Sequence, residues 1–464
     1  MDPSPPSAAA APSGAALGNG TKVGYAVGSL ATGTFGTVPG FLLVIYLTDT
    51  LGVAAAIAGL AVAIPKFWDV VFNPIVGGWS DRTNSRMGPR RPWMLAGGLL
   101  LPAFFIALFS VPEGVAPMTA AFIVGVVFLL AASAYALFQV PYVSMPAEMT
   151  DDYDERTSVV AWRIVALTLG ILISGALAPV LVNAGGGGYS GHTLMAVVIG
   201  LFMGVTMLLT VVGTRRAPRS AVPSGSANLL VAWRAARSNP YFLPLWGAFV
   251  LQALANAAML ATVPYLARYI LQNPGAESVL FAALVAPAIL VMPLWNRWGR
   301  TWGKTRGFRV ATLLYLAGAL GLLAAQVLPY AGVIALIALM GVGYAGMQLF
   351  PLAMLPDTVA VDEARSGERR SGMLTGLWTA GETAAFAVGP GIVGLVLGLF
   401  GFVSSAGGEG TTQSGTALTG IVVALAAVPA VAMALSLLLI GRYRLTADVL
   451  AEELESPHSS PSAP

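Results

Sequence analysis

The sequence predicts an all-α, multi-pass membrane protein with twelve transmembrane helices in two pseudo-symmetric six-helix halves. Three observations carry this prediction. Apolar residues make up 56% of the 464 and charged residues only 10%, with a mean hydropathy of +0.78, whereas a soluble domain carries about 25% charged residues. Apolar runs of bilayer-crossing length, about 20 residues, recur along the whole chain. Lys and Arg gather in alternate connections, as expected for loops on one side of a membrane.

Taken in order, residues 1–21 are rich in Pro, Ala, Gly and Ser and lack a basic start, so they read as a disordered cytoplasmic leader rather than a signal peptide. The first half, 22–213, holds spans near 24–48, 54–79, 93–111, 117–146, 159–183 and 192–213. A linker, 214–240, follows, and its segment LLVAWRAARS reads as an amphipathic surface helix. The second half, 241–446, holds spans near 241–271, 276–295, 308–328, 330–355, 372–400 and 416–440. The tail, 447–464, reads as a short acidic helix with a disordered end. Basic clusters follow spans 2, 6, 8 and 10, while the intervening loops, such as PEGVAP and VSSAGGEGTTQSG, carry none. This asymmetry places both termini in the cytoplasm, and the expected location is the plasma (inner) membrane.

Composition excludes several function classes. The absence of cysteine removes disulfides, thiol chemistry and Cys-ligated metals, and two histidines, His192 and His458, cannot build a histidine metal site. A net charge of +3 held in short loops argues against nucleic acid. No GxxxxGK[ST] phosphate cradle or Ser/His/Asp set points to an enzyme. The expected partners are the lipid bilayer and a small solute, the expected assembly is a monomer, and no cofactor is implied beyond a coupling ion, Na+ or H+.

The halves echo one another. SDRTNSRMGPRRP (80–92) and WNRWGRTWGKTRG (295–307) superpose without a gap when Gly88 is laid on Gly303. The exit of span 4, VPYVSMPAEMTDDYDER, resembles the exit of span 10, with proline, an acidic turn and then Glu-Arg in both. Repeats of this kind are the architecture of a major facilitator transporter, whose solute site lies at mid-membrane between the halves.

The chain resembles the glycoside–pentoside–hexuronide cation symporters, the melibiose permease branch of that superfamily. The resemblance rests on KVGYAVGS and YLTDTLG in span 1, PKFWDVVFNPIVGGWSDRT in span 2, the turn RMGPRRPW, and VPYVSMPAEMTDDYDERTSVVAWR at spans 4–5. It covers most of 22–440 and implies a gradient-driven carrier of a sugar or glycoside. It implies too that Asp69 matches the first acid of a sodium or proton site whose second acid is here Asn73. The family's span 1 acid falls near Gly33, its span 4 acid at Gln139 and its span 11 lysine near Gly381, while Arg163 and Lys66 keep basic positions.

Charge inside a bilayer is costly and marks candidate function. Lys66 and Asp69, three residues apart, share a helix face and can pair. They either line the cavity or form a fixed structural pair. Asp69, with Asn73, and Glu382 are the candidate cation or proton groups; the alternative for Glu382 is a neutral acid bonding a neighbouring helix. Arg163, Lys66, Gln139, Tyr142 and Trp378 are the candidate solute contacts. Trp162, Gln252, Asn256 and Gln348 could share that role or act as helix–helix contacts. Asp81, Arg82, Arg86, Arg90, Arg91, Arg297, Arg300 and Arg306, with Glu148, Asp152 and Asp357 as partners, read as a cytoplasmic gate or as orientation signals alone. The expected function is alternating-access transport of a sugar, glycoside or related polar solute. Proton-coupled export of an amphipathic metabolite or lipid-like solute, and a non-transporting membrane sensor, are the alternatives.

Overall fold

The computed structural model describes residues 17–455 apart from 151, 216, 218–228, 369 and 409; the expected leader and the end of the tail lie outside the described residues. Among these, twelve helices are long and apolar enough to cross a membrane. In the first half they are α1 Asn19–Thr50, α2 Ala55–Arg82, α3 Arg91–Leu108, α4 Pro117–Met149, α5 Tyr153–Ala184 and α6 Gly188–Gly213. In the second they are α7 Phe242–Ile270, α8 Ala276–Trp302, α9 Lys304–Ala324, α10 Tyr330–Ser366, α11 Ser371–Leu399 and α12 Gly415–Arg442. A linker helix, Leu229–Ser238, and a tail helix, Ala447–Glu455, complete the described elements. The predicted spans match within a few residues except at α5, which starts earlier at Tyr153, α8, which runs on to Trp302, and α10, which runs on past Pro356 to Ser366. A proline inside a helix frees only one carbonyl, which neighbouring helices can satisfy.

The repeat read from the sequence shares a positive-φ glycine but not a backbone shape, since residues 83–90 connect α2 to α3 whereas Gly303 alone separates α8 from α9. Gly88 and Gly303 both take left-handed φ values, +91° and +87°, so each basic turn reverses on a glycine at the same register. A second repeat was not visible in the sequence. α1 and α7 each end in a π turn, Tyr46–Thr50 and Leu266–Ile270. Each is followed by a positive-φ residue, Gly52 at +70° and Gln272 at +51°. Paired bonds close both, Val53 N–H to Leu47 O and Asn273 N–H to Ala267 O. π turns of this kind re-aim side chains and recur at functional sites.

The halves meet at the membrane side opposite the termini, called here the far side. There α2 packs on α11, α1 on α7 and α5 on α8. The contacts are close because small residues allow it: a Cβ at Gly394 would lie 2.4 Å from Ala55 O, and one at Gly175 would overlap the Phe281 ring. On the basic side α4 and α10 form no such interface, so the space between the halves opens toward the termini.

Candidate functional site

Each half presents a polar wall to the central space. In the first half, Lys66 and Asp69 project from the middle of α2, Gln139 from α4 and Arg163 from α5. Trp68 ties this face together by donating to Ser133 Oγ at 2.9 Å. Asp69 is buried, and its Oδ1 has no hydrogen-bond partner among the described residues. The pairing expected from the Lys66–Asp69 spacing is corrected here, because no ion pair within 4.0 Å joins them among the described residues. Lys66 Nζ instead stands 5.6 Å from the Phe35 ring centroid and 5.8 Å from that of Phe128. Two ring faces attract a desolvated ammonium without fixing it to one partner. Its Coulomb attraction to Asp69 persists across the gap.

Asn73 lies one turn beyond Asp69 and is half-buried. Gln139 Oε1 and Arg163 Nε are buried without partners among the described residues. Arg163 stacks over the Tyr142 ring with its Cζ at 5.7 Å. Tyr142 itself does not face open space. Its hydroxyl donates to Tyr25 O at 2.9 Å and meets Ser29 Oγ at 2.7 Å, and its ring stacks on Tyr25 at 4.5 Å. It therefore braces α4 against α1 and supports Arg163 from behind. Trp162 is half-exposed. Tyr135, not singled out in the sequence, lies within electrostatic reach of both Asp69 and Arg163; its place one turn before Gln139 was the available signal.

In the second half, a small pocket is lined by Phe249, Gln252, Asn256, Tyr344, Gln348 and Glu382, among others. Gln252 is anchored to Thr312 at 3.0 Å and Ser436 at 2.9 Å. Its Oε1 and Asn256 Oδ1 are left without partners among the described residues. Gln348 donates to Tyr344 OH at 3.1 Å, and that tyrosine is the charged-site neighbour of Glu382. Trp378, one turn before Glu382, is buried and stacks on Phe249 at 4.4 Å, leaving its indole N–H without a partner among the described residues. Buried polar groups are normally paired, so these orphaned atoms are exceptions within the described residues.

The basic-side residues form clusters within each half. Arg90 joins Asp81 and binds Glu148 at 2.7 Å, with Ser80 Oγ also at 2.7 Å. Arg91 reaches Thr214 O at the end of α6. Lys304 binds Asp357 at 2.6 Å. Asp152 is an N-cap, accepting from the Glu155 N–H at 2.7 Å, rather than a partner of the arginines. Arg82, Arg86, Arg297, Arg300 and Arg306 form no ion pair among the described residues.

The far side carries an ion pair that sequence reading missed. Arg268 on the α7 π turn donates to Asp49 Oδ2, on the α1 π turn, at 2.9 Å. Tyr269 donates to the same oxygen at 2.6 Å, and Thr48 Oγ1 meets Tyr265 OH at 2.7 Å. The connection after α11 seals the junction: Ser405 N–H donates to Thr48 O at 3.0 Å, and Gly408 N–H to Asp49 O at 2.9 Å.

A family model described as MFS/sugar transport protein matches residues 24–447. The chain belongs to this family. It is a transporter family rather than an enzyme family, and its twelve apolar helices make the protein an integral multi-pass membrane protein. Relatives within the MFS/sugar transport family include the glucuronide carrier protein homolog of Escherichia coli K12, 26% identical over 92% of each chain. The isoprimeverose transporter of Lactiplantibacillus pentosus is 24% identical over 93% of this chain and 90% of that one. An uncharacterized symporter of Bacillus subtilis 168, YnaJ, is 26% identical over 91% of each. Among solved structures, a bacterial homolog of the lysosomal transporter Spinster superposes with a TM-score of 0.68 at 13% identity, covering 96% of this chain and 98% of its own. A D-xylose–proton symporter gives 0.58 at 13% identity over 85% and 99%. These two likenesses establish the fold.

Two departures from the expected MFS/sugar transport pattern have packing causes. A Cβ at Gly33 would stand 2.6 Å from Leu167 O, and one at Gly381 would stand 2.6 Å from Trp246 Nε1. A side chain at either position would therefore have to displace its neighbour. Charge is supplied elsewhere, at Asp69, Lys66 and Arg163 on one wall and Glu382 on the other.

Proposed function

We propose that the protein is a cation-coupled symporter that carries a sugar, glycoside or related small polar solute by alternating access. In this reading the basic side is cytoplasmic, both termini lie there, and the form described is open inward. Asp69 takes up the coupling proton, or a cation with Asn73 as neutral ligand. Lys66, Arg163, Gln139 and Trp378 hold the solute, with Tyr142 fixing Arg163. The observation that carries this reading is the buried, unpartnered Oδ1 of Asp69 on a wall with two cations it does not pair with. A carboxylate in that setting gains most from binding a proton or cation. Sugar and glycoside solutes are favoured by the relatives, whose names include carriers for isoprimeverose and glucuronides.

The test is uptake of radiolabelled isoprimeverose and of a phenyl glucuronide into proteoliposomes, under an imposed proton or sodium gradient. Uptake above the leak of empty vesicles that collapses with the gradient supports the reading. A panel transported equally with and without any gradient would remove the coupling.

A second reading is suggested by the mixed lining of the pocket around Glu382, where Phe249, Met347 and Phe386 stand beside Gln252, Asn256 and Gln348. Such a wall suits proton-coupled export of an amphipathic solute, with Glu382 carrying the proton. The direction of the gradient dependence separates the two.

A further inference from the structure

Three candidates stand outside the site described: the far-side carboxylates, the tail helix clasped to α10 through Glu453 and Arg365, and the linker helix under Trp246. The tail and linker clasps join elements of one half, so they travel with it. The far-side group joins the halves and contains a charge with no assigned task. Glu277 lies in the first turn of α8, is only 6% exposed, and among the described residues engages no hydrogen bond or ion pair through its carboxylate. α8 packs on the π turn Leu266–Ile270 that carries Arg268, and Arg268 acts electrostatically on both Glu277 and Asp49.

We propose that Glu277 is the second partner of Arg268, a positioning residue that takes over the guanidinium when Asp49 withdraws. The inference rests on the alternating-access reading. Arg268 and Glu277 belong to the same half, on α7 and α8, while Asp49 belongs to the other. When the far side opens, Asp49 leaves with α1 and Arg268 stays beside Glu277. Breaking a buried ion pair by removing one partner is strongly unfavourable because a charge is left unpaired. A carboxylate waiting in the same half lets Arg268 exchange one partner for another, so that the far-side-open form is not penalised by a stranded cation. Tyr269 travels with Arg268 and can follow it, whereas Thr48 departs with Asp49. The π turn matters here, because it rotates Arg268 toward the junction while keeping it one connection away from Glu277.

A two-label distance measurement tests this without any solute, and the absence of native cysteine makes it direct. Glu113→Cys on the exposed α3–α4 connection and Asn273→Cys on the α7–α8 turn report far-side separation by double electron–electron resonance, in liposomes with full-length protein. Asp49→Asn is expected to raise the long-distance population, since the closed form loses its cross-half ion pair. Adding Glu277→Gln to Asp49→Asn is expected to return that population by about threefold toward the wild-type value. Glu277→Asp, which keeps the charge, is expected to rescue most of it. It also carries the test if the glutamine variant does not fold: in the Asp49→Asn background it should then lower the long-distance population slightly, and any rise would overturn the proposal.

A helix-capping role alone for Glu277 would lower the melting temperature yet leave the populations unchanged. That result, or a rise in the long-distance population on adding Glu277→Gln, would overturn the proposal while leaving alternating access intact. If Asp49→Asn fails to open the far side at all, the ion pair does not hold the junction and the proposal is overturned, while alternating access is untouched.

Discussion

Asp49 and Arg268, 219 residues apart, are joined at 2.9 Å across the boundary between the two halves. Each is presented by a π turn at the end of the first helix of its half. The internal repeat therefore builds both jaws of one closure from the same backbone device. Because both side chains are largely withdrawn from water, with 17% and 1% of the Arg268 and Asp49 side chains exposed, the pair is worth more to the closed form than a surface bridge.

Removing one member should be costly and removing both less so. Arg268→Gln is expected to destabilise the detergent-solubilised protein by about 3–5 kcal/mol, and Arg268→Gln with Asp49→Asn by less, since Glu277 alone is then left without its cation rather than two carboxylates. Thermal unfolding of the four proteins of this cycle checks it. Additive losses would mean the two charges do not interact.

The far-side interface also depends on absent side chains. A Cβ at Gly394 would lie 2.4 Å from Ala55 O and 2.8 Å from Gly59 Cα. Gly394→Val is therefore expected to wedge α11 from α2 and shift the Glu113/Asn273 label distance to longer values. A distance distribution identical to wild type would contradict this packing.

Both basic turns reverse on left-handed glycines. Gly88→Ala and Gly303→Ala are each expected to cost about 1 kcal/mol or more through backbone strain, and asparagine is expected to give no relief at Gly303, whose ψ of 149° lies outside the left-handed helical region. Equal melting temperatures for alanine, asparagine and glycine at either position would count against its positive φ being a constraint.

Trp378 offers an indole N–H with no protein partner among the described residues, while its ring is held against Phe249 at 4.4 Å. Trp378→Phe should keep the stack and the melting temperature. It should weaken solute affinity by about 1 kcal/mol, the worth of one hydrogen bond. Isothermal titration with whichever solute the uptake assay identifies is the check, and unchanged affinity would place Trp378 in packing alone.

Much of this molecule is legible in its sequence, and the missed parts share a physical reason. Twelve spans follow from hydropathy, and the Gly88/Gly303 repeat from residue spacing, because both are local properties. The spacing of Lys66 and Asp69 fixes a shared face but says nothing of Phe35 and Phe128, which arrive from α1 and α4 and draw the ammonium away. Tyr142 reads as a cavity aromatic by its neighbours in sequence, yet Tyr25 and Ser29 of α1 occupy its hydroxyl. Asp49, Arg268 and Glu277 sit at the ends of spans, where a charge costs little and attracts no notice. Only the pairing of two π turns from opposite halves brings them together in a buried junction.

The coupling role of Asp69 meets its most direct test in proteoliposomes carrying wild type or Asp69→Asn, assayed for both gradient-driven accumulation and solute counterflow. If Asp69 holds the coupling proton or cation, the variant keeps counterflow and loses at least about tenfold in accumulation, equivalent to 1.4 kcal/mol or more of coupling. Accumulation at the wild-type level by Asp69→Asn would contradict the assignment.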